Sequence, residues 1–291
     1  MNSKIISRDK IKLPLQQEKM IRSGWGNEAF ENSVVERITY LSDGLSIKGY
    51  LAYPPDINNK YPCIIWNRGG SLNDGATDSF TARGIFGQMA SWGYVVFASQ
   101  YRGNAGSQGH EQFGGDDVND ILYLMSLSIE LPFADSNNWG MEGWSRGGMM
   151  SCLSLLKLLD NPIDGVSISN IKCVVLSGAI TNLRKYVEFN PDKISLYKNL
   201  IKGLNFDEEI EKRTIINFVD KLPKTNYLLL HGSADATVPP NHTLDIAMKF
   251  QELNIPYRLV ILEGGDHFLR NHRREIDRLR KLWFDKYLKK I

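Results

Sequence analysis

The 291-residue sequence has few cysteines, no long apolar run and almost no excess of charge of either sign. Each shortage excludes something. Cys63, Cys152 and Cys173 each sit inside an apolar run and read as small buried hydrophobes. Their odd number and wide spacing suit neither a disulfide framework nor a metal-ligand set, and a reducing compartment is the simplest setting. No apolar run is long enough to span a bilayer, and the polar start MNSKIISRDKIKLPLQQEKM lacks the apolar stretch of a secretory signal. The expectation is a cytoplasmic protein without a membrane partner. Lys and Arg number 35 against 33 Asp and Glu, a formal net charge of +2, which gives no electrostatic case for nucleic acid. Internal repeats and low-complexity tracts are missing too. What remains is an ordinary globular composition, 42% hydrophobic and 23% charged.

The chain is long enough for one α/β domain with additions. Residues 1–33 are charged and mixed, and are expected to form an extension packed loosely on a domain spanning 34–291. Two β-rich runs, Val34–Leu41 and Leu45–Tyr53, flank the turn Ser42-Asp43-Gly44 and predict an antiparallel hairpin. Short apolar strands then alternate with helical segments: Cys63–Trp66, Tyr94–Ala98, Trp139–Glu142, Cys173–Leu176, Tyr227–Leu230 and Arg258–Leu262. Helical spacing appears at Met149, Cys152, Leu153 and Leu156, and again at Ile276, Leu279, Trp283 and Tyr287. The pattern predicts an eight-stranded, mostly parallel sheet with helices on both faces. Residues 181–220 contain no convincing strand and are expected to form a small helical lid, with a plain connecting helix pair as the alternative.

The sharpest signal is Gly143-Trp144-Ser145-Arg146-Gly147, a G-x-S-x-G pattern directly after one strand and directly before a helical run. A serine on such a turn holds its hydroxyl clear of the backbone, and the crowding demands glycine at both flanks. A lone hydroxyl needs a base. Of His110, His231, His242, His267 and His272, only His267 follows the last strand in a loop, within Glu263-Gly264-Gly265-Asp266-His267. His231 caps a strand and reads as a structural hydrogen bonder. Asp235, just after the strand Tyr227–Leu230, can reach the other ring nitrogen of His267, and the neighbouring Asp266 is the weaker competitor. The backbone N–H of Arg146 is one candidate oxyanion donor. The glycine-bearing loop Asn67-Arg68-Gly69-Gly70 is the candidate source of the second, at Arg68 or Gly69.

Five pieces now resemble, in order, the catalytic domain of the prolyl oligopeptidase family, on an α/β-hydrolase fold: Asn67-Arg68-Gly69-Gly70, Tyr101-Arg102-Gly103, Gly143-Trp144-Ser145-Arg146-Gly147-Gly148, His231-Gly232-Ser233-Ala234-Asp235 with Val238-Pro239, and Gly264-Gly265-Asp266-His267. The resemblance runs from about residue 45 to the C-terminus. It implies cleavage of short peptides or small esters through an acyl-enzyme, with no cofactor and no metal. Relatives commonly carry a large N-terminal β-propeller. A chain of this length is expected to lack one, together with the specificity it supplies. Arg68 stands where relatives often have an aromatic residue or histidine, and Arg146 where tyrosine is usual.

The expectation is therefore a serine hydrolase with Ser145 as nucleophile, His267 as base and Asp235 as orienting acid. Arg68, Trp144 and Arg146 are candidate substrate contacts. The two arginines suggest a taste for acidic groups, unless they pair with acidic neighbours such as Asp266. A prolyl oligopeptidase-like peptidase, a carboxylesterase or dienelactone-type hydrolase, and a non-catalytic binding protein on the same fold are the three readings that the sequence leaves open.

Overall fold

The computed structural model describes residues 4–201 and 205–289. Nine strands form one sheet: β1 (Ile5–Lys10), β2 (Val34–Ser42), β3 (Leu45–Tyr53), β4 (Tyr61–Asn67), β5 (Val95–Ser99), β6 (Ala134–Trp144), β7 (Ile171–Ser177), β8 (Asn226–Gly232) and β9 (Tyr257–Leu262). Their order is β1-β2-β3-β5-β4-β6-β7-β8-β9. The six strands from β4 to β9 run parallel, while β1, β2 and β3 make an antiparallel margin in which β3 pairs with β5. Ten α-helices accompany them among the described residues: α1 (Leu15–Trp25), α2 (Asn27–Glu31), α3 (Ser79–Ser91), α4 (Asp117–Ser126), α5 (Arg146–Asp160), α6 (Leu183–Phe189), α7 (Ile194–Leu200), α8 (Phe206–Lys212), α9 (Asn241–Glu252) and α10 (Arg273–Leu288). None is long and apolar enough to cross a membrane.

Strand alternation builds two cores, one on each face. Along β4, Cys63 and Ile65 join one cluster while Ile64 and Trp66 join the other, and β5, β7 and β8 alternate in the same way. The first core lies under α4, α5 and α9, and also takes in Leu183, Tyr186 and Tyr197. The second lies under α3 and α10. Both faces of β4, β5, β7 and β8 are thereby covered, so these strands read as continuous apolar runs.

Two expectations need correcting. The sheet has nine strands rather than eight, because β1 pairs antiparallel with β2 at the margin. Only Ile5 of β1 is even partly buried, so this edge strand carries no apolar alternation to betray it. Residues 1–33 are also no loose extension where they are described. Ile21 and Ala29 are buried, and the Arg83 guanidinium on α3 donates to the carbonyls of Ala29 at 2.8 Å and Phe30 at 2.5 Å. Residues 181–220 contain helices and no strand in their described part, and residues 202–204 lie outside the described residues.

Candidate active site

Ser145 sits between β6 and α5 at φ 57° and ψ −122°, a backbone conformation that L-residues rarely adopt. Its neighbours hold it there. The Ser145 N–H donates to Ser177 O at 2.9 Å, while its carbonyl accepts from Gly148 N at 3.0 Å and Ile180 N at 3.1 Å. Both motif glycines are required by contact. A Cβ on Gly147 would lie 1.9 Å from Asn67 O, and one on Gly143 would lie 2.2 Å from Gly147 O. Arg146 opens α5, so its N–H belongs to the first turn, where backbone donors have no intrahelical acceptor. Gly69 lies against the serine: a Cβ there would sit 3.0 Å from Ser145 Cβ and 3.6 Å from its Oγ.

Asp235 follows β8, and its carboxylate meets four partners. Oδ1 accepts from Thr237 N and Val238 N, each at 2.9 Å. Oδ2 lies 2.7 Å from His267 Nδ1 and 3.2 Å from His231 Nε2. Burial alone would raise the pKa of Asp235, but the hydrogen bonds from His231, His267 and Val238 N outweigh it and hold the carboxyl well below its usual range. A carboxylate can only accept, so the Nδ1–H of His267 donates to Asp235, and in the neutral ring Nε2 is then the nitrogen without a proton. His267 and Ser145 line the same cavity of about 1040 Å³. Trp144 also lines it, and its indole N–H donates to His267 O at 3.2 Å. Asp266 is turned away, 3.5 Å from Arg270.

The two arginines are not free cations. Arg68 is 1% exposed, and its guanidinium donates to the carbonyls of Gly69, Leu72 and Gln100 while lying 5.0 Å from the Tyr101 ring. Burial, followed by repulsion from Arg146, pulls its pKa down to about 10. The Arg146 side chain, also 1% exposed, lies 2.7 Å from Glu111 and 2.5 Å from Asp117, donates to Gly70 O at 3.0 Å, and packs on the rings of Tyr101 and Phe113. Burial opposes its charge, yet the two carboxylates more than compensate and raise its pKa. The anticipated pairing with acidic neighbours thus falls to Glu111 and Asp117 rather than Asp266. No periodic signal marks those two acids, because they belong to the loop before α4 and the first turn of that helix. Among the described residues, no group of three or more His, Cys, Asp or Glu side chains is placed to hold a metal ion.

The family described as the prolyl oligopeptidase family matches residues 81–290. The chain belongs to the prolyl oligopeptidase family. An uncharacterised peptidase of Bacillus subtilis, YtmA, is 31% identical over 221 residues, covering 75% of this chain and 80% of that one. The human prolyl endopeptidase FAP is 22% identical over 268 residues, 88% of this chain but 33% of FAP. Among solved structures, the acylaminoacyl peptidase of Pyrococcus horikoshii superposes with a TM-score of 0.75 at 20% identity, covering 97% of this chain and 45% of that one. The chain therefore spans less than half of the length of these larger relatives, although it matches most of YtmA. It is a serine hydrolase of the α/β-hydrolase fold.

Proposed function

We propose that this member of the prolyl oligopeptidase family cleaves short peptides or small amides through an acyl-enzyme formed on Ser145. The observation that carries the reading is the Asp235–His267 hydrogen bond of 2.7 Å beside a cavity lined by both His267 and Ser145. His267 Nε2 takes the hydroxyl proton as Oγ attacks the carbonyl, and Asp235 stabilises the imidazolium that results. The N–H groups of Arg146 and of the Gly69 segment receive the oxyanion. The imidazolium then gives its proton to the departing amine, and water repeats the cycle on the acyl-enzyme. The chain's resemblance to a protein named a peptidase supports amide cleavage, as does a neighbour of the same fold that holds Z-Gly-Gly-Phe-chloromethyl ketone.

Tyr186, Lys193, Leu196 and Tyr197 line the cavity, which supports the reading of residues 181–220 as a helical lid. A preference for acidic groups through Arg68 and Arg146 forms no part of the proposal, since both guanidinium groups are engaged inside the fold. The test is a panel of acyl dipeptide amides and short-chain acyl esters, run on wild type and Ser145→Ala. Amide turnover that disappears in Ser145→Ala supports the reading. Turnover of esters alone makes the protein a carboxylesterase, and turnover of neither leaves a binding protein.

A further inference from the structure

The cavity straddles the carboxyl edge of the sheet, with Ser145 at the ridge. On one side lie Ile180, Tyr186 and Tyr197, which belong to the core under α4, α5 and α9. The other side extends over α3 and α10, and part of its wall comes from Trp25, the last residue of α1. This tryptophan precedes the residues that match the family, 81–290. Its ring is fixed from two sides. A Cβ on Gly84 of α3 would lie 2.6 Å from Trp25 Cε2, and the Arg273 guanidinium of α10 lies 3.9 Å from the ring centroid. Phe80 meets it edge-on at 5.7 Å.

Resting on the acyl-enzyme reading above, we propose that this branch is a subsite for a neutral aromatic group on the departing amine. The indoles of Trp25, Trp66 and Trp144 all line it. Each cation along it has a carboxylate partner: Arg280 pairs with Glu142 at 2.7 Å and Asp277 at 2.9 Å, Arg273 lies 4.0 Å from Asp277, and Arg270 lies 3.5 Å from Asp266. Three cations meet three carboxylates, so no net charge calls for a counter-charge on the ligand. A flat apolar group packs edge-on against the indoles without breaking an ion pair. The side is set by proton delivery. His267 must protonate the amine as it leaves, and the chain from His267 runs through Phe268, Leu269 and Arg270 along this branch into α10.

The test compares two substrates with the same acyl group, one releasing phenylalanine amide and the other alanine amide, by their kcat/KM ratio. Wild type is expected to favour the aromatic amine by about tenfold, and Trp25→Ala to cut that ratio by roughly three- to tenfold. Trp25→Phe should keep most of the preference. Hydrolysis of an ester that forms the same acyl-enzyme should retain its deacylation rate in all three proteins. If Trp25→Ala fails to fold, the intermediate ratio expected of Trp25→Leu takes its place. A ratio unchanged by these replacements, or an equal loss on both substrates, overturns the subsite. Wild type that a fluorophosphonate does not label at Ser145 overturns instead the acyl-enzyme reading on which it rests.

Discussion

Replacing Arg146 with leucine removes the only full cation in direct ion-pair contact with Glu111 and Asp117 in the described structure. Both carboxylates have no exposed side-chain surface. Taking one partner from a buried ion pair costs about 3–5 kcal/mol, because the remaining charge stays in a medium that cannot solvate it. Here two carboxylates are stranded together, and the hydrogen bond to Gly70 O is lost as well. The expected loss lies at the upper end of that range, a large share of the roughly 5–15 kcal/mol that stabilises a typical domain. Glu111 also accepts from Leu72 N at 2.9 Å, so the same network holds the loop that carries Gly69 and Gly70. Arg146→Lys, a compact cation that cannot reach both acids and Gly70 at once, is expected to fold and to lose about tenfold or more in kcat. The ceiling is the roughly 10²–10³ seen when an oxyanion donor is removed. Urea denaturation of Arg146→Leu, and of the triple variant that adds Glu111→Gln and Asp117→Asn, measures the stability part. The triple variant should recover more than half of the loss. A cost below about 1 kcal/mol for Arg146→Leu, or a triple variant less stable than the single one, refutes the stranded-charge argument.

His231 reaches Asp235 Oδ2 through the same nitrogen that donates to Val238 O at 2.8 Å, so His231→Phe should leave KM nearly unchanged while lowering kcat by about tenfold, read from steady-state kinetics. The His242 imidazole is buried and, secondarily, near His231, which together draw its pKa down to about 4. Its Nδ1 accepts from Thr181 N and Asn182 N, both at 3.3 Å. Because the folded value is below the unfolded one, the stability it contributes is full above about pH 6.5 and falls as pH drops toward 4. Melting curves should show wild type losing more stability over that window than His242→Gln does. Asp235 is depressed in the same sense, so its contribution is present above the ordinary carboxylate value and is lost only in stronger acid. Gly147→Ala would force a Cβ into Asn67 O and should abolish turnover while destabilising the fold by about 1–3 kcal/mol or more, measured by amide hydrolysis and urea titration.

Much of this architecture is legible from short stretches. The elbow at Ser145 declares itself because strand, glycine, serine, glycine and helix follow within one turn, and steric demand leaves few other residue types possible there. The central parallel strands β4, β5, β7 and β8 are legible because burial on both faces makes them largely apolar. β1 is not, since a solvated edge strand such as Ile5–Lys10 leaves no hydrophobic alternation. Arg68 and Arg146 mislead for a related reason. A charged residue beside a nucleophile reads as a ligand contact until its partners are known, and Glu111 and Asp117 lie about thirty residues from Arg146, in a loop and a helix start without periodicity. His231 could be read only as a hydrogen bonder, because its acceptors come from the chain's return at Val238 and from the Asp235 carboxylate. Trp25 reaches the cavity by tertiary packing of α1 against α3 and α10, which no local pattern encodes.

Reaction with a fluorophosphonate probe, with the modified peptide mapped by mass spectrometry, tests the central claim most directly. The account predicts a single adduct on Ser145, formed rapidly in wild type and slowed by at least a hundredfold in His267→Ala. Labelling that persists in Ser145→Ala, or that proceeds at the wild-type rate without His267, would contradict it.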